Sequence, residues 1–141
     1  MDSSWLMVTF LIVILLVGGS ILFLIGYGRK GGSQLDQERY RRSWLTIERQ
    51  LVRHQEASFH LVVLNADKLL DQALKQRGFK GETMGDRMKA AKQSWTSANN
   101  IWTAHKLRNR IAHETDVRID YDTVRRALAA YKQALKDVGA I

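Results

Sequence analysis

Cysteine is missing from this chain of 141 residues, and so is proline. Without cysteine there is no disulfide, no thiolate nucleophile and no zinc site built on sulfur. Without proline the helices lose one of their two usual breakers, so glycine and capping residues must mark their ends. Histidine is scarce, four in all, and none falls in a His-Glu-x-x-His pattern. His54 and His60 are six apart, a spacing that does not place both on one helical face, so a metal enzyme is disfavoured and no metal or cofactor is called for. Acidic residues are outnumbered. Beyond residue 30 there are 20 Lys+Arg (22 less Arg29 and Lys30) against 13 Asp+Glu (14 less Asp2), and the whole chain carries +8. Such a balance favours anionic partners, RNA or lipid headgroups.

What is present begins with an apolar run. Trp5 to Tyr27 carries no charge and would make about 34 Å of helix at about 1.5 Å per residue, enough to span a bilayer. A secretory signal would put basic residues before a shorter core; here Asp2 precedes the run and Arg29-Lys30 follow it. The expectation is an uncleaved single-pass anchor, residues 1–30 with their basic flank, ringed by Trp5 and Tyr27 at the headgroup levels. Arg29, Lys30, Arg39, Arg41 and Arg42 all lie C-terminal to it, which places the N-terminus outside and the remainder in the cytoplasm at the cell membrane. Gly18 and Gly19 do not form a Gly-x-x-x-Gly pair.

Residues 31–35 form a short linker, and residues 36–141 read as one all-α domain of four to five helices. Ser33 with Asp36 fits the start of a capping box. From Asp36 to about His54, Tyr40, Trp44, Ile47 and Leu51 recur at steps of four and three, leaving Arg39, Arg41, Arg42 and Arg49 wet. Ala57 to about Arg77 holds a broad apolar stripe suited to the centre of a bundle, and no break separates it clearly from the helix before. Asp67 and Asp71, four apart, invite a reading as paired carboxylates; Lys68 and Lys75 make a salt-bridged surface the simpler one. Gly78 to Gly85 reads as a connecting loop, with Thr83 to Asp86 a capping box opening a short helix through Met88 and Ala91 and as far as Trp95. A longer helix follows from about Ala98 to His113 or Glu114. Asp120 or Asp122 caps the last one, in which Tyr121, Val124, Leu128, Tyr131, Leu135 and Val138 repeat at three and four before Gly139 stops it.

The chemistry concentrates in Ala104-His-Lys-Leu-Arg-Asn-Arg-Ile-Ala-His-Glu114. Ala104, Leu107 and Ile111 form the expected buried stripe. With His105 set to zero on an ideal wheel, that stripe occupies about 200 to 260°, and Arg108, Ala112, His105, Asn109 and His113 run from about 300° round to 80°. This polar face is expected to turn away from the core. Arg108 and His113 diverge by about 140° on that wheel, a gap that a second copy of the chain would close.

Arg108-Asn109-x-x-x-His113 resembles the Arg-x4-6-His signature of the HEPN superfamily, and the flanking Leu-Arg-Asn-x-Ile-Ala-His-Glu is similar to its last-but-one helix. The resemblance covers roughly residues 36 to 138. It implies an all-α domain, usually a homodimer, that in its active members cleaves RNA without metal, leaving a 2′,3′-cyclic phosphate. Arg108, Asn109 and His113 would be the catalytic residues. A metal-free cut needs a group to take the proton of the 2′-hydroxyl and a cation for the phosphoryl oxygens, and imidazole and guanidinium suit those roles. Arg110, His105 and Lys106 are the residues to expect along the RNA. The alternative is a membrane-tethered helical module that binds RNA or a partner protein without cutting. Under it Arg110 and Glu114 are an ordinary i, i+4 pair and His113 merely ends its helix.

Overall fold

Apolar periodicity and polar punctuation divide the described residues into six helices: α1 Ser3–Gly28, α2 Gln37–Gln50, α3 Glu56–Gln76, α4 Met84–Ala90, α5 Ala98–His113 and α6 Tyr121–Asp137. The computed structural model describes the backbone of residues 3–28 and 34–141, and side chains over 5–22 and 34–141. Among these there is no strand, and the fold is all-α. Arg29, Lys30, Ser33 and the Tyr27 side chain, which entered the sequence expectations, lie outside the described residues. The chain divides into two compact units, Met1–Gly31 and Gly32–Ile141.

The first unit is α1. From Trp5 to Leu22 it is apolar and long enough to cross a membrane, and none of that window is buried within the protein. An uncovered helix of this composition needs a nonaqueous surrounding.

In the second unit α3 is the central element, packing against α2, α4, α5 and α6. Its Phe59, Val62, Val63, Ala66, Leu70, Ala73 and Leu74 meet Tyr40, Trp44 and Ile47 of α2 and Val124, Leu128, Tyr131 and Leu135 of α6 in one apolar cluster. Burying each larger aliphatic side chain contributes about 2 kcal/mol, which is what holds helices this short in place.

The helix ends follow local chemistry. Asp36 itself caps α2, its carboxylate accepting from the Arg39 amide at 3.0 Å. α2 and α3 are separate helices: the chain extends at Leu51, and the buried Ser58 hydroxyl donates to the Gln55 carbonyl (2.7 Å) while accepting from the Val52 amide (3.0 Å), tying the corner. Thr83 and Asp86 complete the expected capping box on α4. That helix stops at Ala90, and Trp95 instead folds back to donate from its indole N–H to the Met88 carbonyl at 3.1 Å. Asp120, not Asp122, caps α6. Both α3 and α6 end in a Schellman turn. The Phe79 amide bonds the Leu74 carbonyl and the Ala140 amide the Leu135 carbonyl, with Gly78 and Gly139 at φ of 83° and 73°, where a side chain would be strained.

Candidate functional site

The motif lies on α5, and α5 buries a wider arc than its apolar letters suggest. Ile101, Ala104, His105 and Leu107 are buried, while Ile111 is only partly so. On the ideal wheel Ile101 stands at about −40°, so the inward arc runs from Leu107 round to His105 and includes Arg108. The expectation that the whole polar set faces outward therefore fails for His105, 7% exposed, and in part for Arg108, whose side chain is 34% exposed.

What draws them in is Asp67. It lies on α3 and is 3% exposed, not a surface ion-pairing residue as the sequence suggested. Lys68 is exposed beside it, whereas the Asp67 carboxylate meets α5 and α6. His105 Nδ1 lies 2.8 Å from Asp67 Oδ1, the Tyr131 hydroxyl donates to the same oxygen at 2.9 Å, and Arg108 Nε stands 3.2 Å from Oδ2. That last contact is an ion pair off the line a hydrogen bond needs, since Arg108 Nε has no hydrogen-bond partner.

Asn109 closes the circuit. Arg108 Nη1 donates to Asn109 Oδ1 at 3.0 Å, and Asn109 Nδ2 faces His105 Nε2 at 3.3 Å. Because guanidinium can only donate, the amide oxygen must face Arg108 and the amide nitrogen must face His105. Nε2 then accepts, and the Nδ1 N–H donates to Asp67 Oδ1. Four side chains are thus linked in a ring: hydrogen bonds run from Arg108 through Asn109 and His105 to Asp67, and the Arg108–Asp67 ion pair closes it, balancing the Asp67 negative charge. The Tyr131 hydroxyl is pushed well above the usual phenol range, first by burial, then by the Asp67 charge and hydrogen bond, with Arg108 partly opposing. Trp102 sets its ring edge-on to His105, centroids 6.0 Å apart.

An open cleft of about 900 Å³ lies over this ring, walled by α3, α4 and α5. Arg108, Asn109, His113, His105 and Lys106 all line it, so five of the six residues singled out from the sequence share one depression. Arg110 does not. It lies on the other side of α5, its Nε 3.4 Å from Glu114 Oε2, and lines a second groove of about 580 Å³ between α5 and α6. His113 is exposed on the cleft rim and makes no side-chain hydrogen bond among the described residues. Arg108 Nη2 likewise makes no hydrogen bond among the described residues, and with its side chain part-exposed it is the free end of the fork.

The walls are pinned by an ion pair. Arg87 of α4, 6% exposed, sets Nε and Nη2 both 2.7 Å from Asp71 Oδ1, and its Nη1 donates to the Gly81 carbonyl at 2.6 Å. Asp71 also takes Lys75 at 2.8 Å, the helix pair expected from the sequence. With Asp67 and Asp71 each engaged by cations, no group of three or more metal-ligating side chains occurs among the described residues.

Sequence reading missed Asp67, Tyr131 and Arg87 as parts of this site. For Asp67 a signal existed: it stands four residues after Val63 and three before Leu70, on the apolar stripe of α3, where an acid requires a partner. Comparison of the chain with family models, with curated proteins and with solved structures finds no match.

Proposed function

We propose that this is a membrane-anchored HEPN-like domain, N-terminus outside and helical unit in the cytoplasm, that cuts RNA without a metal at the α3–α4–α5 cleft. The observation that carries the reading is that Arg108, Asn109 and His113 line a single open depression together with Lys106. In the proposed reaction the 2′-hydroxyl oxygen attacks the adjacent phosphorus and the bond to the 5′-oxygen breaks. The 2′-proton passes to a base and the departing 5′-oxygen gains a proton, leaving a 2′,3′-cyclic phosphate and a 5′-hydroxyl. His113, at the rim with its imidazole unengaged, is the proton-transfer group. Arg108 offers the free end of its guanidinium to the phosphoryl oxygens as charge builds on them. Asn109 sets the pose of that guanidinium, and His105 and Lys106 border the path of the strand. Two copies meeting rim to rim would pair the sites as a homodimer, one copy's Arg108 facing the other's His113.

A second reading rests on a specific observation too: Arg108 is already tied to Asp67 and Asn109. A closed ring of this kind suits a structural lock in a non-catalytic scaffold that holds RNA or a protein at the membrane. The two readings separate on His113. In full-length protein reconstituted in lipid nanodiscs with EDTA, the nuclease reading expects RNA cleavage, reduced at least about a hundredfold by His113→Ala, with unchanged chemical stability and oligomeric state. No cleavage by the unsubstituted chain, or cleavage indifferent to His113, overturns it in favour of the scaffold.

A further inference from the structure

We propose that the outward face of α2 docks on an anionic lipid leaflet, an inference that rests on reading α1 as the membrane anchor. The buried side of α2 is Tyr40, Trp44 and Ile47. With Leu45 at zero on the wheel, those three fall at about −100 to −160°, and Arg41, Arg49 and Arg42 fall at about −40°, 40° and 60°. Leu45, 48% exposed, is thus ringed by three arginines on the side of the helix turned from the core. Just past the helix end Val52 is 47% exposed, a second large apolar side chain next to a further cation, Arg53.

The carboxylates nearby neutralise only one of the three arginines on this face. Glu38 takes Arg42 at 3.2 Å, Glu48 turns to Lys132 of α6 at 2.8 Å, and Asp36 caps the helix. Arg39 lies over the Tyr40 ring and Arg53 over that of Tyr121. Arg41 and Arg49 make no ion pair or side-chain hydrogen bond among the described residues. Two uncommitted guanidinium groups therefore flank an exposed leucine.

Charge and apolarity together select the occupant. RNA would satisfy the arginines and leave Leu45 and Val52 in water, whereas a leaflet takes guanidinium at its phosphates and aliphatic side chains at the acyl boundary. Covalent connection supplies the proximity: eight residues, 29–36, lie between the last of α1 and the first of α2 and reach at most about 30 Å when extended. At that range even weak attraction for lipid is populated, since docking is intramolecular with respect to the membrane.

The absence of cysteine makes the test direct, because Leu45→Cys introduces a unique thiol for a nitroxide label. Full-length chain is reconstituted in nanodiscs of phosphatidylcholine alone, or with about a third phosphatidylserine, and collision of the label with a water-soluble relaxation agent is measured. Collision should fall several-fold in the anionic discs, return at about 0.5 M salt where screening is within a few ångströms, and remain unchanged for a label at Lys136→Cys on α6. Adding Arg41→Glu and Arg49→Glu to the labelled chain should weaken docking by at least about thirtyfold, roughly fivefold for each cation lost, with the added carboxylates opposing it further. Equal collision in both discs overturns the proposal, as does protection that appears in phosphatidylcholine discs only when RNA is added. Failure of the chain to enter discs at all would refute the anchor reading, a distinct outcome.

Discussion

Asp67 carries three obligations at once, to His105 and Arg108 of α5 and to Tyr131 of α6. Asp67→Asn removes the charge that Arg108 balances, and with the amide oxygen accepting from His105 and Tyr131 it sets an amide nitrogen, a donor, against Arg108 Nε. Because Arg108 is one-third exposed, the loss falls below that of a fully buried pair, about 2–3 kcal/mol, measurable as a lowered urea midpoint. Tyr131→Phe should cost about 1 kcal/mol, since one of several donors to the carboxylate is lost. His113→Ala should leave stability within about 0.5 kcal/mol, because the imidazole is exposed and unbonded. A drop comparable to that of Asp67→Asn would make His113 a structural residue. At this scale the sequence is only half legible. Arg108, Asn109 and His113 stand out by type and spacing, but a wheel drawn through Ala104, Leu107 and Ile111 leaves out Ile101. It is Ile101 that widens the buried arc to take in Arg108 and His105. No local pattern on α5 reveals that the counter-charge waits on α3, since such a pairing depends on how two distant helices approach.

Among the elements, carboxylates set boundaries. The Asp120 carboxyl is held below its usual range by hydrogen bonds from the Thr123 amide and side chain, and Asp86 by those from Thr83. Burial pushes Asp137 up, but the Thr96 hydroxyl and amide and the Gln133 side chain outweigh it and hold it low, clasping the start of α5 to the end of α6. Groups depressed on folding contribute stability fully present above the ordinary carboxylate pKa of about 4 and lost as pH falls through the lower folded values. Unfolding midpoints should therefore stay level from neutrality to about pH 5 and decline below about pH 4. Asparagine caps as well as aspartate without titrating, so Asp120→Asn should make that decline shallower; an identical slope would refute the assignment. Gly139→Ala should lower stability by about 1 kcal/mol, because φ of 73° is costly for any residue with a Cβ. These boundaries were the most legible part of the chain. Capping residues and glycines act within a few positions of themselves, which is why α5 and α6 match their sequence limits while α4, whose end depends on Trp95 folding back, stops earlier than its apolar letters suggest.

The molecule as a whole is two units of opposite solvent demand. Arginines placed together at Ile12, Ile14 and Leu16 of α1 would cost about 9 kcal/mol on insertion scales, roughly 3 each, more than the remaining apolar residues of the run return, and should release the chain from alkali-washed membranes into the soluble fraction. Retention of that variant would mean that something other than insertion of α1 holds the chain there. The long apolar helix was legible because an uncharged run needs no tertiary information. The central place of α3 was legible in outline from its broad apolar stripe, though not its polar office toward α5.

That central place has a consequence for how the protein is made. α3 emerges early but is covered on one side by α6, which is synthesised after the other described helices and whose Val124, Leu128, Tyr131 and Leu135 complete the apolar cluster. A nascent chain paused before residue 121 would hold α3 half-clothed, with Asp67 lacking its phenol donor, while the α1 segment has already left the ribosome and can engage a bilayer. Quality-control proteases would meet an unfinished bundle there, and stop codons anywhere in α6 should deplete the protein rather than yield a shortened working form.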